Sequence, residues 1–227
     1  GLLTKKKLDK NKFPKIIVSR DGRLSSKSLE KNLISGLLKS GSEVVSIGMN
    51  PTPILYFADR YLSSDAAIQI TGSHNPKNYN GFKMIMFNKS FFGDQITELA
   101  SFAKKGSNEA YTGSLKKFKI EDKYITEILK PLHGLKQDNF LTKKIIWDCG
   151  NGATGKIVKN LVKKIPGKHY VLFSKVDGNF PNHHPDPTRI ENLNELKNKI
   201  LKLNADFGIA FDGDGDRIGI VDNMGNL

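Results

Sequence analysis

Apolar positions along the chain follow two alternating rhythms. Short β-branched runs, KIIVS (15–19), EVVSIG (43–48) and DAAIQI (65–70), have the length and composition of buried strands, and between them apolar residues recur at helical spacing. Segment 27–41 places Leu29, Leu33, Leu37 and Leu38 on one helical face, follows serines able to cap it, and stops at Gly41. TPILYFADRYL (52–62) predicts a second helix with Pro53 at an early-turn position. FKMIMF (82–87) then predicts a strand, and DQITELASFAKKG (94–106) a helix opened by Asp94 and ended by Gly106. From 106 to 121 the periodicity lapses among Gly, Ser and Thr, which places a boundary near Ile120 between a domain 1–120 and a domain 121–227.

The second half repeats the scheme. A helix DKYITEILKPL (122–132), a strand KIIWD (144–148), a glycine loop and a helix KIVKNLVKKI (156–165) come first. A strand HYVLFS (169–174), a loop rich in Pro and His, a helix 190–204 and a strand DFGIAF (206–211) follow. DGDGDR and IGIVDNMGNL close the chain, the latter read as a hairpin turning on NMGN. The predicted class is α/β: two consecutive α/β domains with mixed sheets flanked by helices.

Composition narrows the setting. No run approaches the roughly 18 apolar residues of a membrane span, and the apolar part of GLLTKKKLDKNKF is too short for a secretory signal. The expectation is a soluble cytoplasmic protein with no membrane partner. The single cysteine, Cys149, cannot form an intrachain disulfide and reads as structural beside KIIWD. Lys and Arg number 36 against 23 Asp and Glu, a formal charge of +13. The lysines are scattered along helix-like segments, with TKKK the densest run, which argues for a solvated basic surface and no nucleic-acid partner. An anionic small substrate stays compatible with that charge.

Chemistry concentrates in a few loops. In FDGDGDRIGIV (211–221), Asp212, Asp214 and Asp216 alternate with glycine and, in an extended chain, would aim three carboxylates to one side. Their mutual repulsion calls for a divalent cation, and all-oxygen ligation suits Mg²⁺, Mn²⁺ or Ca²⁺ rather than zinc. An EF-hand loop does not fit, because Arg217 stands where glycine is needed and Asn223 where a bidentate Glu belongs. In DCGNGATG (148–155), Gly150, Gly152 and Gly155 satisfy the dinucleotide fingerprint, with Asp177 further on. A tight strand-to-helix turn explains the same glycines without a nucleotide. His183 and His184, in VDGNFPNHHPDP (176–187), sit among Asn and Pro as exposed or hydrogen-bonded side chains rather than metal ligands.

TGSHNP (71–76) ends the run DAAIQI with a hydroxyl and an imidazole side by side. Adjacent residues rarely form a working nucleophile–base pair, and no orienting group is evident for Ser73 and His74. A serine that accepts and donates a phosphoryl group needs a metal and cations instead. Lys83 follows shortly after, and Arg20 and Arg23 lie at another strand end as further cation candidates.

RDGRLS, TGSHNPKNYNGFK, DGNFPNHHPDP and FDGDGDRIGIV, in this order, closely resemble the α-D-phosphohexomutases, nearest the bacterial phosphomannomutase/phosphoglucomutase group. PTPILYFA and DCGNGATG also look like family segments, so the glycine loop reads as an ordinary turn of the second domain. The resemblance implies a phosphoserine enzyme. Ser73 would carry the phosphoryl group, with one Mg²⁺ held by Asp212, Asp214, Asp216 and a phosphoserine oxygen. A hexose 1-phosphate would pass through a 1,6-bisphosphate, which reorients to yield the 6-phosphate. Lys83 and Arg217 match family positions beside the phosphoserine, and His74 is a further candidate for proton transfer. Family members have four domains, and this chain corresponds to the first two, without the third and fourth that read the sugar and grip its phosphate. It also lacks a YDIRG-like beginning and starts at Gly1. The expectation is therefore a chain with the phosphoryl and metal machinery that is inactive, or nearly so, alone. Mannose, glucose and glucosamine phosphates are not separated by these residues, and the oligomeric state stays open. A non-catalytic basic binding module on the same fold is the competing reading.

Overall fold

The computed structural model describes residues 1–8, 12–106, 111–134 and 141–227. They form two compact units, one of residues 1–20, 25–71 and 81–120, the other of 21–24, 72–80 and 121–227.

The first unit is built on a six-stranded sheet in the order β5-β4-β3-β1-β2-β6. Its strands are β1 (Lys15–Arg20), β2 (Glu43–Met49), β3 (Ala66–Ile70), β4 (Phe82–Met86), β5 (Lys89–Ser90) and β6 (Ser114–Lys117). β1, β2, β3 and β6 run parallel, while β4 and β5 are antiparallel additions. β1 lies in the middle and is buried on both faces, as its unbroken apolar run requires. Ile16 and Val18 pack with Leu29, Leu33 and Leu37 of α2 (Ser26–Lys39). α3 (Thr52–Tyr61) packs on β1 and β3 and buries Ile54, Leu55 and Ala58 completely. Each such isoleucine or leucine contributes about 2 kcal/mol through removal from water. α1 (Leu2–Lys7) and α4 (Asp94–Lys105) complete the unit.

β6 lies in the stretch 106–121 where the helical periodicity lapses. Its four residues, SLKK, are all exposed and carry no β-branched side chain, so neither alternation nor propensity marks it. Two lysines on an edge strand also discourage pairing with other chains.

The second unit has a four-stranded sheet in the order β10-β9-β7-β8, from β7 (Lys144–Asp148), β8 (Lys168–Leu172), β9 (Phe207–Phe211) and β10 (Ile218–Asp222). The first three are parallel and β10 is antiparallel. α5 (Glu121–Leu129), α6 (Gly155–Leu161) and α7 (Asn194–Leu203) flank it, with 3₁₀ turns at Lys130–Gly134 and Ile190–Leu193. Alternation along β7 divides the core. Ile146 packs with Leu196 and Ile200 of α7, whereas Ile145 and Trp147 pack with Val158 of α6. A Cβ on Gly208 would lie 2.5 Å from a Leu196 methyl and 2.8 Å from one of Ile200, so glycine there lets the side chains of α7 pack directly on the β9 backbone.

Three expectations are corrected. α6 stops at Leu161 rather than 165: Pro166 disfavours helical geometry at Ile165 and has no N–H for the Val162 carbonyl, and the chain leaves through a tighter turn in which Lys164 N–H donates to the Leu161 carbonyl at 2.9 Å. The helix expected over 190–204 opens as a 3₁₀ turn, with Asn192 Nδ2 donating to the Asp186 carbonyl, and it ends at Asn204 in the left-handed conformation. IGIVD pairs not across NMGN but with FGIAF, so the aspartate loop is itself the hairpin connection. NMGN is a separate turn, closed by Asp222 N–H donating to the Asn226 carbonyl at 2.9 Å. Among the described residues no helix is long and apolar enough to cross a membrane.

Candidate active site

β9 ends at Phe211, and the next residues turn back sharply into β10. Asp212 closes that turn with its own side chain: Oδ1 accepts from the backbone N–H groups of Asp216 at 3.0 Å and Arg217 at 3.2 Å. Gly215, at φ +71°, supplies the left-handed step. The three carboxylates thus converge by curling, not through the extended alternation the spacing suggests. Asp212 and Asp214 are fully buried, Asp216 is exposed, and each offers an oxygen within 4.8 Å of the others. Burial first, and then the charges of Asp214 and Asp216, push the Asp212 carboxyl up to about 7, although a hydrogen bond from Ser73 works against them. Such crowding is what a divalent cation relieves, and an all-oxygen donor set fits Mg²⁺ or Mn²⁺.

Ser73 meets this cluster directly. Its Oγ donates to Asp212 Oδ2 at 2.8 Å, across 139 residues of chain. The serine is held at φ +49°, a conformation that costs a non-glycine residue about 1 kcal/mol or more. A Cβ on Gly213 would stand 2.6 Å from the Ser73 carbonyl oxygen, so the two loops approach at backbone distance. His74 Nδ1 lies 3.4 Å from Ser73 Oγ, and its Nε2 lies 3.4 Å from Arg217 Nη1. A serine hydroxyl set on a cluster of three carboxylates, two of them buried, is suited to phosphoryl chemistry with a hard cation.

The glycine loop serves this arrangement from beneath. Ala153 N–H donates to the Gly213 carbonyl at 3.0 Å, and a Cβ on Gly152 would lie 2.8 Å from that same oxygen. A Cβ on Gly155 would overlap the Ser174 carbonyl oxygen. These glycines admit neighbouring backbone where a dinucleotide-binding loop would admit pyrophosphate. Asp177 accepts from Asn179 at 2.9 Å and closes its own turn. Cys149 is buried, and burial pushes its thiol up to about 12, so it is inert packing.

The Pro/His loop is also absorbed into support. His183 is bonded to the fully buried Asp148 at 3.0 Å, and His184 Nε2 donates to the His74 carbonyl at 2.6 Å. Ser73, His74, Arg23, Arg217 and the three aspartates all belong to the second unit, whereas Arg20 and Lys83 belong to the first. There Arg20 pairs with Glu30 at 2.9 Å, and Lys83 lies on β4 opposite Gln69. Asp21 went unnoticed in the sequence. Its carboxylate accepts from Arg23 N–H at 3.0 Å and Gly72 N–H at 3.3 Å, an acidic residue between two arginines being its sole signal.

Comparison with known proteins supplies the family. Residues 2–110 match the phosphoglucomutase/phosphomannomutase α/β/α domain I model and residues 122–225 the domain II model, so the chain belongs to the phosphoglucomutase/phosphomannomutase family. A phosphomannomutase/phosphoglucomutase of Pseudomonas syringae pv. tomato is 43% identical over 216 residues, which is 94% of this chain and 45% of that protein. A phosphoglucomutase of Neisseria gonorrhoeae is 40% identical over 94% of this chain and 46% of its own length. The crystal structure of a family protein from Burkholderia thailandensis superposes with a TM-score of 0.84 at 39% identity, covering 94% of this chain and 47% of that one. The chain therefore spans about half the length of the relatives it matches.

Proposed function

We propose that this chain carries the phosphoryl-transfer half of a phosphohexomutase, with Ser73 as the residue that is phosphorylated and dephosphorylated. The observation that carries the reading is the 2.8 Å hydrogen bond from Ser73 Oγ to a cluster of three carboxylates. Asp212, Asp214 and Asp216 would hold Mg²⁺ together with a phosphoserine oxygen. The cation would neutralise charge on the transferring group, as phosphoryl transfer requires.

In the loading step Ser73 Oγ attacks phosphorus of a hexose 1,6-bisphosphate. The Oγ–P bond forms, the sugar O–P bond breaks, the serine proton leaves, and the sugar oxygen takes up a proton. In the forward half-reaction phosphoserine gives its phosphoryl group to a free hydroxyl of a hexose phosphate, with the proton moves reversed. Asp212 Oδ2 already accepts the Ser73 proton as a hydrogen bond and so orients Oγ. His74 stands beside the same oxygen, with Arg217 next to it at the far ring nitrogen, and we assign to this pair the task of meeting developing charge. Lys83 enters through the family resemblance and Arg20 only as a strand-end cation of the sequence. Mannose and glucose phosphates are the substrate class, and the soluble cytosol is the setting this chemistry suits.

Incubation with glucose 1,6-bisphosphate and Mg²⁺, followed by intact-mass measurement, should add one phosphoryl group. Ser73→Ala should add none, and chelation of Mg²⁺ should slow the labelling by at least about tenfold. A coupled assay for hexose-phosphate isomerisation should show no sustained turnover by these 227 residues. An unlabelled wild-type chain would overturn the phosphoserine reading, and robust turnover would overturn the need for further chain.

A further inference from the structure

Arg23 is one of the strand-end cation candidates of the sequence, yet its side chain is fully buried. Its guanidinium faces main chain instead. Nη1 donates to the carbonyls of Pro76 at 2.6 Å and Tyr79 at 3.0 Å, and Nη2 to those of Ser73 and Asn75, each at 2.7 Å. Nε lies 3.2 Å from Asp21 Oδ2, and the guanidinium carbon lies 5.4 Å from the centre of the Phe180 ring. Burial lowers its pKa, while the charges of Asp21, Asp214 and Asp212 work in the opposite direction.

We propose that Arg23 is a positioning residue for Ser73, the cationic hub on which the serine loop is folded, and that it takes no part in holding substrate. The proposal rests on the phosphoserine reading above. Residues 75–79 are exposed, and two turn hydrogen bonds, Asn75 N–H to Gly72 and Tyr79 N–H to Pro76, shape them locally. Arg23 adds four more from below. One of these fixes the Ser73 carbonyl, which also lies against the Gly213 backbone, and so holds the left-handed turn that directs Oγ to Asp212. A planar fork suits four carbonyls in a way that one ammonium cannot. The Pro/His loop supplies the seat, with Phe180 on the guanidinium and Gly178 so close that a Cβ there would lie 2.7 Å from Leu24 N.

The test is single-turnover labelling of the full chain by glucose 1,6-bisphosphate, with Arg23→Lys and Phe180→Ala beside wild type. A positioning role predicts a maximal labelling rate at least about tenfold lower in Arg23→Lys, with the half-saturating bisphosphate concentration within about threefold of wild type. Phe180→Ala, which keeps the fork but loosens its seat, should give a smaller fall of the same kind. Mn²⁺ affinity of the unphosphorylated chain should be kept in both. A rise in half-saturating concentration with an unchanged maximal rate would make Arg23 a substrate-binding cation and overturn the proposal. Amide hydrogen exchange gives a reading independent of labelling. Residues 72–80 should lose protection in Arg23→Lys while β7 and β9 keep theirs, and unchanged protection of that loop would overturn the proposal even if the wild-type chain takes no phosphoryl group. Should Arg23→Lys not fold, the Phe180→Ala pattern in the same two measurements decides.

Discussion

His183 has an acceptor at each ring nitrogen, the Asp148 carboxylate at Nε2 and the His184 carbonyl at Nδ1, and it satisfies both only when doubly protonated. Burial alone would lower its pKa. The hydrogen bond and charge of Asp148 outweigh burial, with smaller help from the His184 carbonyl and from Glu195 on α7, and the net shift is upward. Unfolded histidine titrates at about 6.5. The stabilisation from a raised pKa is therefore fully present below that value and is lost as pH rises through the folded one. Trp147 is the sole tryptophan and lies in the second unit, so its fluorescence reports unfolding there. The urea midpoint read from it should fall as pH is raised from about 6 to about 9, and His183→Gln should flatten that fall. Equal pH profiles for the two proteins would show that the buried pair is not ionised as drawn.

At the scale of elements, the same chemical change should have opposite signs at two glycines. Gly155 begins α6 against the end of β8, and the Cβ of Gly155→Ala would overlap the Ser174 carbonyl oxygen, which is backbone and cannot swing aside. The expected cost is about 1–3 kcal/mol or more. Gly36 lies inside α2 with nothing within 4 Å of an added Cβ, and Gly36→Ala should gain about 0.5–1 kcal/mol. Urea midpoints of each variant check both signs, and a tolerated Gly155→Ala would reopen what that glycine is for. The contrast also shows how far the sequence could be read. KIIV and KIIW announce central strands because burial on both faces demands unbroken apolar runs, and SLKK hides an edge strand because exposure demands nothing of its side chains. The glycine spacing is visible, but its meaning depends on which backbone passes nearby. Arg23 is harder still. Its partners are carbonyl groups, which carry no residue identity and lie some fifty positions away along the chain.

For the whole molecule the telling quantity is charge. The local site is crowded with Asp212, Asp214 and Asp216 and offsets them with Arg217 and the buried Arg23, so without a bound cation it offers little attraction to a multiply anionic sugar bisphosphate. The chain as a whole carries +13 through lysines spread over its length. Capture of such a ligand from solution is then a property of the summed field, which draws anions toward the surface before any contact forms. A summed field is screened by salt, with a Debye length near 10 Å at 0.1 M, whereas hydrogen bonds inside the loop are not. At saturating Mg²⁺, the second-order rate of Ser73 labelling should fall by about threefold or more between roughly 0.05 and 0.5 M salt, with the saturated rate nearly unchanged. If the second-order rate holds constant across that range, the excess of lysine has no part in capture, and the basic surface must be explained by something other than this substrate.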